Sequence, residues 1–76
     1  MTKKAPRVTA QEVIRALERA GFSKVRQSGS HQIFRNAWGR RVTVPYHPGK
    51  ILHPKVFKSI LRDAGWTVEQ FEHLLS

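Results

Sequence analysis

The sequence predicts an α+β domain in the order α-β-β-β-α, with a short extra C-terminal helix and an antiparallel three-stranded sheet covered on one face by helices. Three observations predict it. Thr9-Ala10-Gln11-Glu12 and Thr67-Val68-Glu69-Gln70 are capping boxes at the head of apolar stripes. Between them lie three short stretches separated by the turns Ser28-Gly29-Ser30 and Asn36-Ala37-Trp38-Gly39. Connections that short join antiparallel strands, not parallel ones. A second apolar stripe with helical spacing then follows Pro54.

The first helix is expected from about Ala10 to Ala20. Val8 and Val13 flank its capping box as a hydrophobic staple. Ala10, Val13, Ile14, Leu17 and Ala20 recur on one face, and Gly21 supplies the stop. The strands are expected at Ser23 to Gln27, with Val25 as the apolar residue, at His31 to Asn36, and at Arg40 to Pro45. In the third, Val42 and Val44 alternate with Arg41 and Thr43. Gly39 suits a turn position of positive φ. Pro45 to Lys50 is a loop. Pro54 fits the first turn of the second helix, whose buried stripe is Val56, Phe57, Ile60, Leu61 and Ala64, with Gly65 as its end. Trp66 and Phe71 staple the last helix, which Leu74 and Leu75 complete. The layout resembles that of a double-stranded-RNA-binding domain.

A chain of 76 residues is expected to form a single domain over 1–76, with 1–7 as a basic, flexible N-terminus. Only about 60% of its unfolded surface can be buried. Any activity then belongs to a shallow surface. There are no cysteines, which excludes disulfides and thiolate metal sites. No apolar run approaches the ~20 residues of a membrane span. The N-terminus lacks the apolar core of a signal peptide, so a cytoplasmic protein without membrane association is expected.

Charge is the loudest signal. Fourteen Lys and Arg against five Asp and Glu give a formal net charge of +9. From Lys24 to Arg62 there are nine basic residues and no acidic one. Such a one-signed field favours a polyanion, above all nucleic acid, over a merely solvated basic surface. Ser30, Arg26, Arg35, Arg40, Arg41, His47, Lys50, Lys55 and Lys58 are the candidate RNA-binding residues. Lys55 and Lys58 lie near the second helix start, where double-stranded-RNA-binding domains touch phosphate. Trp38 has two readings, a cap on the sheet edge, which is preferred, and a platform for a base. Trp66 is assigned to the core.

His31 follows a small flexible turn and opens the second strand. RNA carries its own nucleophile, the 2′-hydroxyl. Its cleavage needs a base for that proton, an acid for the leaving 5′-oxygen, and positive charge on the phosphate. Histidine, with an unperturbed pKa of ~6.5, does either proton job near neutral pH. No carboxylate cluster lies between Lys24 and Arg62 to hold a hard cation. No cofactor and no metal are therefore expected. The bland reading of His31 is a turn residue. His47 divides between a backbone-bonding and an RNA-binding role. His53 is read as a helix cap, and His73 as inert. Which sheet face His31 takes is open, because parity groups it with Ile33 and Arg35 but does not say which face is covered.

Three segments together carry a resemblance: "GSHQIF" at Gly29–Phe34, "VTVPYHPG" at Val42–Gly49 and "FKSILRDAG" at Phe57–Gly65. In that order they resemble the HicA toxin family, also called YcfA-like, over nearly the whole chain. The resemblance implies an mRNA interferase with a double-stranded-RNA-binding-like fold, the toxin of a type II toxin–antitoxin system. It implies ribosome-independent cleavage of mRNA, with the family's catalytic histidine at His31 and its Pro-x-His at Pro45-Tyr46-His47. The implied partners are mRNA, a HicB-type antitoxin that covers the active face, and operator DNA only through that antitoxin. One segment departs from the family pattern. A Pro-x-Gly-Thr-like segment is replaced by Leu52-His53-Pro54-Lys55-Val56, with the proline one position later; the helix should still start there. The competing readings are a non-catalytic double-stranded-RNA-binding module and a DNA-binding partner in a regulatory complex.

Overall fold

The computed structural model describes residues 7–75. They form α1 (Ala10–Arg19), β1 (Ser23–Ser28), β2 (His31–Arg35), β3 (Arg41–Pro45), α2 (Pro54–Ala64) and α3 (Val68–Leu75). This is the expected α+β order, with an open antiparallel sheet of strand order β1-β2-β3. Of the basic N-terminus expected over residues 1–7, all but the exposed Arg7 lies outside the described residues.

The capping box at α1 is complete. The Glu12 amide donates to Thr9 Oγ1 at 3.3 Å, and the Thr9 amide donates to Glu12 Oε1 at 2.9 Å. Two of the orphan amides of the first turn are thereby satisfied. Ala10, Val13, Ala16 and Leu17 are the buried face of α1. α2 begins with Pro54 at its first position and ends at Gly65 in the left-handed region, φ 79°. There the Gly65 amide reaches back to the Leu61 carbonyl at 2.9 Å. The second capping box is also formed, with the Thr67 amide on Gln70 Oε1 at 2.8 Å and the Gln70 amide on Thr67 Oγ1 at 3.1 Å.

All three helices contribute to one core with the sheet. Phe34, Val42 and Val44 from the sheet meet Val13 and Leu17 of α1, Phe57 and Ile60 of α2, and Phe71 of α3 in a single buried cluster. Phe57 and Phe71 pack edge to face with ring centres 4.9 Å apart. Trp66 is half-buried against Phe22, edge-on at 6.0 Å, so it belongs to the core as expected.

β1 departs from expectation. Val25, expected as its apolar residue, is 55% exposed, and no residue of β1 is buried. The cause is a bulge. Lys24 pairs with Phe34 and Arg26 pairs with Ile33, leaving Val25 as the extra residue without a partner on β2. The edge strand is thus bent and charged, which disfavours pairing with another chain.

Gly65 takes a left-handed backbone in which an L-residue is strained. A Cβ there would also come within 2.9 Å of the Arg40 guanidinium, the far end of a flexible side chain. Gly65→Ala is expected to lower the unfolding free energy by about 1–2 kcal/mol, the usual cost of an L-residue in that region. Urea unfolding measures it, and an unshifted midpoint would show that the turn relaxes at no cost.

Candidate functional site

The core settles the face of His31. Phe34, Val42 and Val44 point under the helices, and Gln32 pairs with Val44 in the same layer. Alternation then places His31, Ile33 and Arg35 on the opposite, helix-free face. Residues paired across the ladder share a face, so the pairing defines three rows. Ser28, His31 and Pro45 make the first, Arg26, Ile33 and Thr43 the second, Ser23, Arg35 and Arg41 the third. One open face therefore carries His31 with Arg26, Arg35 and Arg41. The first and third rows lie roughly 13 Å apart, four residue steps along β2.

Two features of this face stand out physically. Arg35 and Arg41 are directly opposite each other across β2 and β3. Like charges in that relation are destabilising. Ile33, outside the core cluster, is still only 7% exposed although it lies on the open side. Its row neighbours are Arg26 and Thr43, and arginine stems cover apolar surface while their charged ends stay in water.

His31 is held from both sides. The turn before it has only two residues, Gly29 and Ser30, with Gly29 at φ 57°. Gln27 Nε2 donates to the Gly29 carbonyl at 3.2 Å, and the Tyr46 amide donates to the Ser30 carbonyl at 2.7 Å. The second bond extends the β2–β3 ladder past Pro45. The exposed His47 follows at once, in a turn closed by the Lys50 amide on the His47 carbonyl at 3.1 Å. Ser30, His31, Pro45 and His47 thus belong to one end of the sheet. The His31 side chain is exposed.

Other candidates are placed elsewhere. The Arg40 Nη1 donates to the Asp63 carbonyl at 3.1 Å and so ties the β2–β3 connection to the C-terminal end of α2. Positive charge belongs at that helix end. Lys55 and Lys58 are exposed on α2, in the helical layer on the other side of the sheet. His53 caps α2: its Nδ1 accepts from the Lys55 amide at 3.1 Å. Trp38 does not cap the sheet edge as preferred; it is 86% exposed and covers nothing. Ser28 and Thr43 are hydroxyl residues of the open face that motif reading passed over. The strand register alone brings them there.

Charge follows the same division into layers. Glu12, Glu18, Asp63, Glu69 and Glu72 all lie on helices, whereas residues 23–45 contain Lys24, Arg26, Arg35, Arg40 and Arg41 and no acid. Two shallow grooves of about 420 and 410 Å³ are present. The first is lined by Ala20, Trp66 and Leu74 among others, the second by Gln11, Gln32 and Tyr46 among others, and neither includes His31. A polymer bound along a face needs neither of them. Among the described residues, no group of three His, Cys, Asp or Glu side chains is placed to hold a metal ion, and no helix is long and apolar enough to cross a membrane.

A family model described as the HicA toxin of bacterial toxin–antitoxin systems matches residues 10–66. The chain belongs to the HicA toxin family. The match runs from the start of α1 through the whole sheet and α2 to Trp66, and leaves out α3. Membership makes this chain the toxin of a toxin–antitoxin pair, with a cognate antitoxin as its partner. No curated protein matches the chain.

The cap bond to the Lys55 amide gives His53 a structural task that substitution can isolate. His53→Ala removes the acceptor at the helix cap and is expected to cost about 1 kcal/mol. His53→Asp restores an acceptor and adds favourable negative charge, so it should match or exceed wild-type stability. Thermal unfolding of the two variants checks both. Equal melting of the alanine variant and wild type would show that the cap bond contributes nothing.

Proposed function

We propose that this HicA-family chain is a metal-independent, ribosome-independent mRNA endoribonuclease in which His31 performs acid/base catalysis on a basic RNA-binding face. The observation that carries this reading is the company His31 keeps: three arginines on an open, acid-free sheet face. The 2′-oxygen of a bound ribose attacks the adjacent phosphorus. His31 takes the 2′-proton, the P–O2′ bond forms and the P–O5′ bond breaks. The products are a 2′,3′-cyclic phosphate and a 5′-hydroxyl, whose proton comes from solvent or from His47 at the same end of the sheet. Arg26, the arginine nearest His31 in the ladder, lies one strand across and two residues along. Its charge, with Arg35 and Arg41 further along, stabilises the developing negative charge and holds the flanking phosphates. Lys50, Lys55, Lys58 and Ser30 serve phosphates beyond this track. The family's antitoxin would silence the site by covering the arginine face with carboxylates. Operator DNA would be met only through that antitoxin.

A non-catalytic double-stranded-RNA-binding module is the second reading. It draws on Lys55 and Lys58, exposed on the first turns of α2.

The deciding experiment is cleavage of an unstructured mRNA by purified protein in EDTA, wild type beside His31→Ala. Loss of at least about 100-fold in rate is expected, the lower bound for removing one positioned proton-transfer group. Binding without cutting by both proteins would leave the binding module. Cutting by both would move the chemistry to another residue, with His47→Ala next.

Salt dependence tests the phosphate track separately. Replacing Arg26, Arg35 and Arg41 by alanine should reduce the slope of log affinity against log salt by about 2, close to 0.7 per lost contact on single strands. An unchanged slope would remove these arginines from the interface.

A further inference from the structure

We infer that Trp38 is a stacking platform for one unpaired base, placed to hold single-stranded RNA in register with His31; this rests on the reading of the open face as an RNA track. Trp38 is the most exposed of the large apolar side chains, well above Val25 and Ile51. Its backbone is nevertheless fixed. Asn36 Oδ1 accepts from the Trp38 amide at 3.1 Å and from the Arg40 amide at 2.9 Å. The Gly39 amide donates to the Asn36 carbonyl at 3.1 Å, and the Asn36 amide to the Arg40 carbonyl at 3.2 Å. The Arg40 guanidinium then fastens this turn to α2 through the Asp63 carbonyl. A rigid stalk thus presents a bare indole.

The surroundings select the ligand. A protein-binding anchor is normally ringed by near-neutral contacts that exclude water around a desolvated centre. Here the turn offers no second large apolar residue. The row that precedes it holds the opposed pair Arg35 and Arg41. An aromatic plane beside uncompensated cations suits alternating base and phosphate. A base already stacked inside a duplex cannot offer its face, so the platform takes a single strand.

Distance gives the register. His31 to Arg35 spans roughly 13 Å, and the turn carries the chain to a total of roughly 20 Å at Trp38. A strand of about four nucleotides, the short end of single-strand site sizes, covers that span. One base seated on Trp38 and phosphates on Arg35, Arg41 and Arg26 would bring a defined phosphate to His31.

The test uses the His31→Ala protein, so that RNA stays intact, and fluorescence anisotropy with a labelled unstructured oligoribonucleotide and with a blunt duplex of the same sequence. Adding Trp38→Ala should weaken single-strand binding by about 5- to 150-fold, the range for loss of one stacked base. Trp38→Phe should keep most of the affinity, and duplex binding should not change. In otherwise wild-type protein, Trp38→Ala should raise KM. Undiminished single-strand binding by Trp38→Ala would overturn the inference and leave the indole to a protein partner. An equal loss on duplex would overturn it as well, because base stacking would not be the contact. If the wild type cuts nothing in EDTA but single-strand binding still depends on Trp38, the endoribonuclease reading falls and this one stands.

Discussion

Burial of Phe34 is the constraint from which the rest of the molecule follows. It is the largest sheet residue in the core, 1% exposed, between the helices and the rest of β2. Because strand side chains alternate, placing Phe34, Val42 and Val44 under α1 and α2 sends His31, Arg35 and Arg41 to the other side. A one-residue slip of β2 would bury an arginine and expose the phenylalanine. Removing a core phenylalanine costs about 3–5 kcal/mol, while small domains have about 5–15 kcal/mol in total. Register is therefore enforced by hydrophobic burial on one face, and the functional geometry on the other face is inherited from it. The two-residue Gly29-Ser30 turn transmits the same register to β1, which places Ser28 beside His31 and Arg26 one row away.

The open face works against the fold that displays it. A net charge of +9 is a source of self-repulsion, and Arg35 facing Arg41 adds a local like-charge pair. The molecule has not placed acids among these strands to relieve it. Its carboxylates are in the helical layer, and Glu12 is committed to the capping box of α1. Of the five cations between residues 23 and 45, Arg40 is the one bound to a helix end. A surface that keeps uncompensated charge at a cost in stability is best explained by a ligand that supplies the opposite sign, whether RNA or the carboxylates of the family's antitoxin.

Much of this was legible in the sequence because the relevant interactions are local. Both capping boxes, the Gly29 and Gly39 turns, the Pro54 start and the Gly65 stop depend on residues within four positions of one another, and each formed as read. The apolar stripes of α1 and α2 were legible for the same reason, although Val56 and Ile14 proved only half-buried. The features that escaped are non-local. Which face of β2 is covered depends on where the helices pack, so parity grouped His31 with Arg35 and could go no further. The bulge at Val25 arises from the pairing of β1 with β2, and a lone valine carries no sign of it. Arg40 looked like another phosphate ligand because its partner, the Asp63 carbonyl, is 23 residues away. Trp38 looked like an edge cap because large apolar residues are usually buried; nothing nearby in sequence says that no edge reaches it.

The shallow character of the site fits a substrate that is long rather than deep. A small metabolite needs a pocket because all its binding energy must come from a few atoms. An RNA strand can gather its affinity from phosphates and bases spread over roughly 20 Å of sheet and turn, and it brings its own nucleophile. What remains for the protein is one proton-transfer group held still and a positive field around it. On the proposed reading, the ladder supplies the first by fixing the His31 backbone between Ser28 and Pro45, and the exclusion of acids from the strands supplies the second. A chain of 76 residues whose described core cluster lies on one side of the sheet can meet both demands, because neither draws on the interior. The two grooves, one lined partly by Gln32 of β2, lie on the helical side of the sheet, and the chemistry is better sought where the surface is open and charged.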